Sequence, residues 1–160
     1  MSYKIIILAP STGGKSTLMR YLREHTALDI FETDEEVMKA NNNVWPDNKL
    51  KNEVLVPKTT RRIIAQQNAI YLASYIPDEL LREAKAKGFT IVLLDISLEA
   101  LVARNKNRMK IENYDDATPW LQMQLSNFNK LNAAGLIDLT IYGESSIEVL
   151  ANKITKIADT

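Results

Sequence analysis

The chain has 160 residues, of which 46% are hydrophobic, and its 20 basic and 20 acidic side chains give zero formal net charge. This composition excludes a disordered chain and a uniformly basic nucleic-acid-binding protein, and the lack of cysteines excludes disulfides and thiolate metal sites. No apolar run approaches the roughly 20 residues of a membrane span, and the N-terminus lacks a signal-peptide pattern. We therefore expect a cytoplasmic protein without a membrane partner.

The most informative motif is a small-residue loop near the N-terminus. A predicted strand, 4–8, leads into Ala9-Pro10-Ser11-Thr12-Gly13-Gly14-Lys15-Ser16, and a helix is predicted over 15–25. Strand, loop, Gly-Lys-Ser and helix in this order are typical of a phosphate-binding P-loop (Walker A motif). Ala9 stands where that motif has its first glycine.

The loop predicts a nucleotide site in which backbone N–H groups and the helix N-terminus hold phosphate oxygens. Lys15 is placed to reach the β- and γ-phosphates, and the Ser16 hydroxyl is placed to bind Mg²⁺. We therefore expect ATP and Mg²⁺ as cofactors. The residues expected to bind ATP are Ser11, Thr12, Gly13, Gly14, Lys15, Ser16 and Thr17.

The rest of the chain alternates predicted strands and helices. After the first helix, strands are predicted at 29–32, 69–73, 90–96 and 137–142. Helices are predicted at 34–41, 57–69, 77–84, 97–108, 118–133 and 146–158. This alternation predicts an α/β fold in one domain, 1–160, with a five-stranded parallel sheet and helices on both faces.

A carboxylate follows the second predicted strand. Because parallel strands end at one edge of a sheet, Asp34 should lie near the γ-phosphate, where it can accept a proton from a hydroxyl acceptor and help to hold Mg²⁺. The alternative is that Asp34 only caps the following helix. The two-residue alternation of a strand predicts that Glu32 points to the other side.

Together these features resemble the small P-loop kinases, among them polynucleotide kinases and shikimate-type kinases, which place an aspartate after strand two. The resemblance implies an acceptor-binding insert at about 35–69 and a lid at about 98–117. It also implies that Arg61 or Arg62 binds the acceptor, and that Arg104 and Arg108, which share a helix face, stabilise charge on the transferred phosphoryl group. For each arginine the alternative is a solvated surface charge.

The segment after strand three departs from the pattern of many nucleotide kinases, which carry Asp-Gly there. Ser74 and Tyr75 stand at this place, and Ser74 could contact an acceptor. Asp95, at the end of strand four, either substitutes for the missing carboxylate or begins a helix. Trp45 and Tyr75 could stack on a base, whereas core packing is expected for Trp120.

A narrower resemblance is to bacteriophage kinases that phosphorylate 5-hydroxymethyl-deoxyuridine within DNA. It is carried by Gly13–His25, Glu32–Val37 and Asn41–Pro46. It implies DNA with a modified base as partner and the host cytoplasm as location, and the base would have to leave the helical stack to reach Asp34.

Two alternatives remain open on the residues alone. One is a deoxynucleotide or small-metabolite kinase of the same fold. The other is a nucleotide-operated switch, which the sequence disfavours because Asn105-Lys106-Asn107-Arg108 lacks the acid of the guanine-reading N-K-x-D motif and lies within a predicted helix.

Overall fold

The computed structural model describes residues 2–160 and contains a five-stranded sheet in which every neighbouring pair is parallel. The strands lie in the order β2-β3-β1-β4-β5. Their bounds are β1 Lys4–Leu8, β2 Ile30–Glu32, β3 Ala69–Ala73, β4 Thr90–Asp95 and β5 Leu139–Tyr142. Since β1 is central, the loop that follows it opens at the middle of the carboxyl edge, between the ends of β3 and β4.

Helices surround this sheet. They are α1 Lys15–His25, α2 Thr33–Ala40, α3 Asn48–Leu50, α4 Val56–Ile64, α5 Asp78–Ala86, α6 Leu98–Ile111, α7 Thr118–Ala133 and α8 Ile147–Ala158. A π-helical turn, Lys51–Leu55, joins α3 to α4. No helix within 2–160 combines the length and the hydropathy needed to cross a bilayer.

The central strands β1 and β3 are buried on both faces, and alternate side chains of β1 enter two separate cores. Ile5 and Ile7 of β1 pack with residues of α1 and α8, whereas Ile6 and Leu8 pack with residues of α4 and α5. Continuous apolar runs such as that of β1 are typical of parallel strands covered on both sides. The predicted fold class is confirmed.

Helix α7 reaches both cores. Leu121 packs in the core that contains α1, whereas Phe128 and Leu131 pack in the core that contains α5. The first turns of α7 therefore lie on one side of the sheet and its last turns on the other. This course brings Gln124, in the middle of α7, to the loop after β1, where its side-chain amide bonds to Ser11.

Several boundaries differ from the sequence prediction. The helix expected over 57–69 ends at Ile64, and an irregular segment separates it from β3. The fifth strand begins at Leu139 and not at 137, because Ile137 packs into a core before the strand starts. The helical segment 48–55, formed by α3 and the π-helical turn, was not predicted. Three asparagines and Pro46 precede it, and such residues are typical of loops.

Candidate active site

A cleft of about 1170 Å³ lies at the carboxyl edge of the sheet. It is bordered by the loop after β1, the first turn of α1, the start of α2, the second half of α6 and the β5–α8 connection. All seven residues expected to bind ATP line it, as do Asp34, Trp45, Arg104 and Arg108. Ligands of open parallel sheets bind at this edge, so the location agrees with a nucleotide site.

The loop after β1 folds tightly around Gly13. The N–H of Gly13 donates to the carbonyl of Pro10 at 3.0 Å, and a Cβ on Gly13 would lie 2.7 Å from that oxygen. Gly14, with φ of 87°, adopts a left-handed conformation that glycine reaches without strain. Ala9 replaces the first glycine without backbone strain because its φ is not in the left-handed region, and its N–H continues the strand pairing by donating to the carbonyl of Ala73.

The first turn of α1 leaves backbone donors for an anion. The helical hydrogen bonds begin with the N–H of Leu18, which donates to the carbonyl of Gly14 at 2.9 Å. The N–H groups of Lys15, Ser16 and Thr17 precede that bond and point out of the helix end. Together with the helix dipole they form a site for phosphate oxygens.

Lys15 is buried beneath this loop. Its Nζ donates to the carbonyls of Ala9 and Pro10 at 3.2 and 3.1 Å. Burial lowers the pKa of Lys15, and the charges of Asp34 and Glu32 partly oppose this effect. A triphosphate in the cleft would supply the negative charge that favours the ammonium form.

Two carboxylates stand opposite Lys15. Glu32 ends β2 and caps α2, because its side chain accepts a hydrogen bond from the N–H of Asp34 at 3.3 Å. The prediction that Glu32 faces away was wrong: it lines the same cleft as Asp34. Burial, followed by the charge of Asp34, raises the pKa of Glu32. Asp34 therefore lies inside the first turn of α2 and is not its cap.

Asp34 has a basic and an aromatic neighbour in the insert. Lys51 Nζ lies 3.3 Å from Asp34 Oδ1 and 4.9 Å from the centroid of the Trp45 ring. Lys51 begins the π-helical turn, a feature that often accompanies functional sites. Trp45 is 51% exposed, so its ring is available for stacking at the cleft.

Arg104 and Arg108 approach the cleft from α6. A Cβ on Gly14 would lie 4.0 Å from a guanidinium nitrogen of Arg104, which places that arginine beside the N-terminus of α1. Arg108 stacks over the Tyr114 ring at 4.0 Å, and its Nε lies 3.7 Å from Glu112. The charge of Arg108 also lowers the pKa of Lys15, so the two cations share one electrostatic site.

A buried amide connects α6 to the start of α7. Asn105 Nδ2 donates to Asp116 and Thr118 at 2.7 and 3.0 Å, and its Oδ1 accepts from the N–H of Ala117 at 2.9 Å. Asn105 is 2% exposed and lies within α6, so it connects that helix to the start of α7.

Other predicted site residues lie outside the cleft lining. Arg61 is exposed on α4, and Arg62 Nη2 lies 2.6 Å from Oε2 of the buried Glu36. Ser74 and Tyr75 follow β3 but do not line the cleft. Asp95 is also outside it, with an exposed side chain and a backbone carbonyl that accepts from Gly143.

The expected core position of Trp120 is wrong. Its side chain is 47% exposed on α7, because the apolar positions that face the cores are Leu121, Phe128 and Leu131.

The cleft contains oxygen donors that suit Mg²⁺, which prefers carboxylates, hydroxyls and phosphate oxygens. Ser16 offers an exposed hydroxyl at the start of α1, and Asp34 and Glu32 offer carboxylates nearby. Within residues 2–160 no group of three or more acidic or histidine side chains is placed to hold a metal. These donors fit a metal that is held jointly with nucleotide phosphates.

Sequence reasoning missed three contributors to the site: Glu32, Lys51 and Gln124. The acidic Glu32-Thr33-Asp34 run was visible, but strand alternation does not hold where a strand ends in a helix cap. Lys51 is one of several basic residues in the segment 49–62, and no motif distinguishes it from the others. Gln124 carries no motif, and only the course of α7 brings it to the loop.

Solved structures resemble the whole chain. Shikimate kinase from Acinetobacter baumannii, in complex with shikimate, superposes with a TM-score of 0.75 at 16% identity, covering 98% of this chain and 93% of that one. Shikimate kinase from Aquifex aeolicus gives 0.71 at 19%, covering 98% and 96%. A gluconokinase from Sinorhizobium meliloti gives 0.66 at 13%, covering 99% and 94%. No family model and no curated protein matches the sequence. At these identities the likeness establishes the fold.

Proposed function

We propose that this protein is an ATP-dependent kinase that transfers the γ-phosphoryl group to a hydroxyl acceptor. The observation that carries the proposal is that Lys15 and Asp34 line one cleft, with Asp34 close enough to oppose the lowering of the Lys15 pKa. A P-loop supplies the phosphate site, and a carboxylate opposite it suits an acceptor that must lose a proton.

The transfer step follows from this arrangement. The acceptor oxygen attacks the γ-phosphorus, the bond from that phosphorus to the β–γ bridging oxygen breaks, and ADP leaves with the bond's electron pair. The hydroxyl proton passes to Asp34. Lys15, Arg104 and Arg108 lie around the cleft, where their charges stabilise the phosphoryl oxygens in the transition state.

Mg²⁺ would be held by Ser16 and Asp34 together with nucleotide oxygens, and when bound it supplies charge neutralisation for the phosphates. Residues 98–117 serve as the lid in this proposal. The segment 35–69 serves as the acceptor-binding insert, since it contributes Trp45 to the cleft and Lys51 to Asp34.

For the acceptor, we propose the 5-hydroxymethyl group of deoxyuridine in DNA. The exposed Trp45 ring in the same cleft as Asp34 supports an acceptor with an aromatic face, because base stacking on such a ring contributes about 1–3 kcal/mol. The proposal assigns Arg61 and Arg62, which lie outside the cleft, to the flanking DNA backbone. It assigns Ser74 and Tyr75 to the rim where the extruded base enters.

A small-metabolite acceptor is the second candidate. The similar solved structures are a gluconokinase and shikimate kinases, one of them in complex with shikimate, and all of them superpose over at least 98% of this chain. In that case Trp45 and Lys51 would select an acceptor with a planar or anionic part.

The test is transfer of radiolabelled γ-phosphate from ATP to a panel of acceptors. The panel contains DNA with 5-hydroxymethyl-deoxyuridine, the same DNA with thymidine, the free modified nucleotide, gluconate and shikimate. Label in the modified DNA alone is the expected result, and the Lys15→Met variant should give none.

Label in a nucleotide, gluconate or shikimate instead would replace the DNA acceptor and keep the kinase. Tight ATP binding with no transfer to any acceptor would contradict the kinase and favour the nucleotide-operated switch.

A further inference from the structure

The loop after β1 contains a strained residue. Thr12 has φ of 61°, in the left-handed region that glycine occupies freely but a β-branched residue does not. Such a conformation costs on the order of 1–3 kcal/mol and persists only where surrounding contacts enforce it. Thr12 is 7% exposed, so the strain lies inside the structure, at the phosphate-binding loop itself.

Two side-chain contacts enforce this conformation. The Thr12 hydroxyl donates to the carbonyl of Leu101 in α6 at 3.2 Å. On the preceding residue, the N–H of Ser11 donates to Gln124 Oε1 at 2.8 Å, and Gln124 Nε2 donates to Ser11 Oγ at 3.0 Å. Gln124 thus holds the backbone N–H and the hydroxyl of Ser11, the residue before Thr12, while the carbonyl of Leu101 holds the Thr12 side chain.

We propose that Gln124 is a positioning residue that holds the strained loop in its phosphate-binding shape and thereby raises affinity for nucleoside di- and triphosphates. The inference rests on the proposed nucleotide binding but not on the identity of the acceptor. Gln124 uses both atoms of its amide on Ser11, so it acts on the loop and leaves the phosphate-facing donors of Lys15, Ser16 and Thr17 free.

The same contacts link the loop to the lid. Leu101 belongs to the helix that carries Arg104 and Arg108, and Gln124 belongs to the helix whose start is held by Asn105. The shape of the phosphate site is therefore set from two elements of the 98–133 region. A sequence with glycine at position 12 would not need this support, because glycine adopts the conformation without strain.

The experiment measures ADP affinity by isothermal titration calorimetry in two backgrounds. Gln124→Leu should weaken ADP binding about tenfold in the natural chain, because the loop can relax away from the strained conformation. The same substitution in a Thr12→Gly background should weaken binding less than threefold. Gln122→Leu, an exposed position on the same helix, serves as the matched control and should leave affinity unchanged.

Amide hydrogen exchange provides a reading that needs no ligand. The Ser11 N–H should exchange faster in Gln124→Leu than in the natural protein, with the global unfolding midpoint retained. Unchanged ADP affinity in Gln124→Leu, or an equal loss in both backgrounds, would overturn the inference while leaving the kinase intact. Absence of ADP binding by the natural protein would overturn both the role of Gln124 and the proposed kinase.

Discussion

At the residue scale, the site concentrates charge of both signs in a small volume. Lys15 is buried between P-loop carbonyls on one side and Glu32 and Asp34 on the other. Burial lowers the pKa of Lys15 and raises the pKa of Glu32, and the charge of Asp34 acts on both groups, as is common where catalysis requires defined protonation states. Turnover measurements test Asp34 as a proton acceptor, whereas stability measurements test the buried environment of Glu32.

Asp34→Asn should lower turnover by about 10²–10⁴-fold, the usual contribution of a positioned proton acceptor. ADP affinity should stay within about twofold, because the phosphate donors lie on α1. Initial rates and calorimetric ADP titration check the two expectations. Glu35→Gln is the control, since Glu35 pairs with Arg23 at 2.8 Å and does not line the cleft. Retained turnover in Asp34→Asn would refute the proton-acceptor role.

Glu32→Gln should become more stable, relative to the natural protein, as the pH rises. Burial raises the pKa of Glu32 above its ordinary 4.5, so its contribution to stability is present below about pH 4.5 and is lost as the pH rises through the folded-state pKa. Glutamine does not titrate and still accepts from the Asp34 N–H. Urea denaturation from about pH 3 to 8, which spans the range on both sides of the ordinary glutamate pKa, measures the difference.

Glu35→Gln should show the opposite trend in the same series. The hydrogen bond from Arg23 lowers the pKa of Glu35, so its stabilisation is present above the ordinary value and is lost as the pH falls. If the stability of both variants, relative to the natural protein, changed with pH in the same direction, burial and the charge of Asp34 would not raise the pKa of Glu32.

At the element scale, one polar residue connects helix α6 to the start of α7. The side chain of Asn105, which is 2% exposed, forms hydrogen bonds with Asp116, Ala117 and Thr118. Buried polar groups that lose their partners cost more than the net value of the hydrogen bond, because nothing replaces the lost solvation. The 113–117 connection should therefore be sensitive to substitution of Asn105.

Asn105→Ala should lower the free energy of unfolding by about 1–3 kcal/mol, since it leaves buried donors and acceptors unpaired. Chemical denaturation measures this loss. Lys106→Ala, at the adjacent exposed position of α6, should change it by less than about 0.5 kcal/mol. Equal effects of the two substitutions would show that the hydrogen bonds of Asn105 do not stabilise the connection between α6 and α7.

At the scale of the whole molecule, nucleotide binding should be coupled to folding through Lys15. The folded chain buries a lysine whose pKa is lowered by burial, which opposes folding at neutral pH. A bound phosphate chain relieves this cost and also adds its own binding free energy to the folded state.

Lys15→Met should leave the melting temperature without nucleotide unchanged or higher, because it removes a buried charge. The natural protein should gain about 2.7 kcal/mol at ADP concentrations 100 times the Kd, or about 5–10 °C for a chain of this size. The variant should gain little. Scanning calorimetry with and without ADP checks both statements, and an undiminished ADP shift in Lys15→Met would contradict the phosphate role of Lys15.

The sequence by itself determined the fold class and the phosphate loop, because both depend on local patterns. Alternating strands and helices predict a covered parallel sheet, and the spacing of Gly13, Gly14, Lys15 and Ser16 after an apolar strand predicts the loop. Asp34 could be placed at the same edge because parallel strands end together.

Only the tertiary structure decided which distant side chains complete the site. Lys51 reaches Asp34 through an unpredicted π-helical turn, and Glu32 turns into the cleft because it caps a helix. Gln124 reaches Ser11 from more than a hundred residues away. No local pattern encodes such contacts, because they depend on the packing of α7 and the insert against the sheet, which only the folded chain brings together.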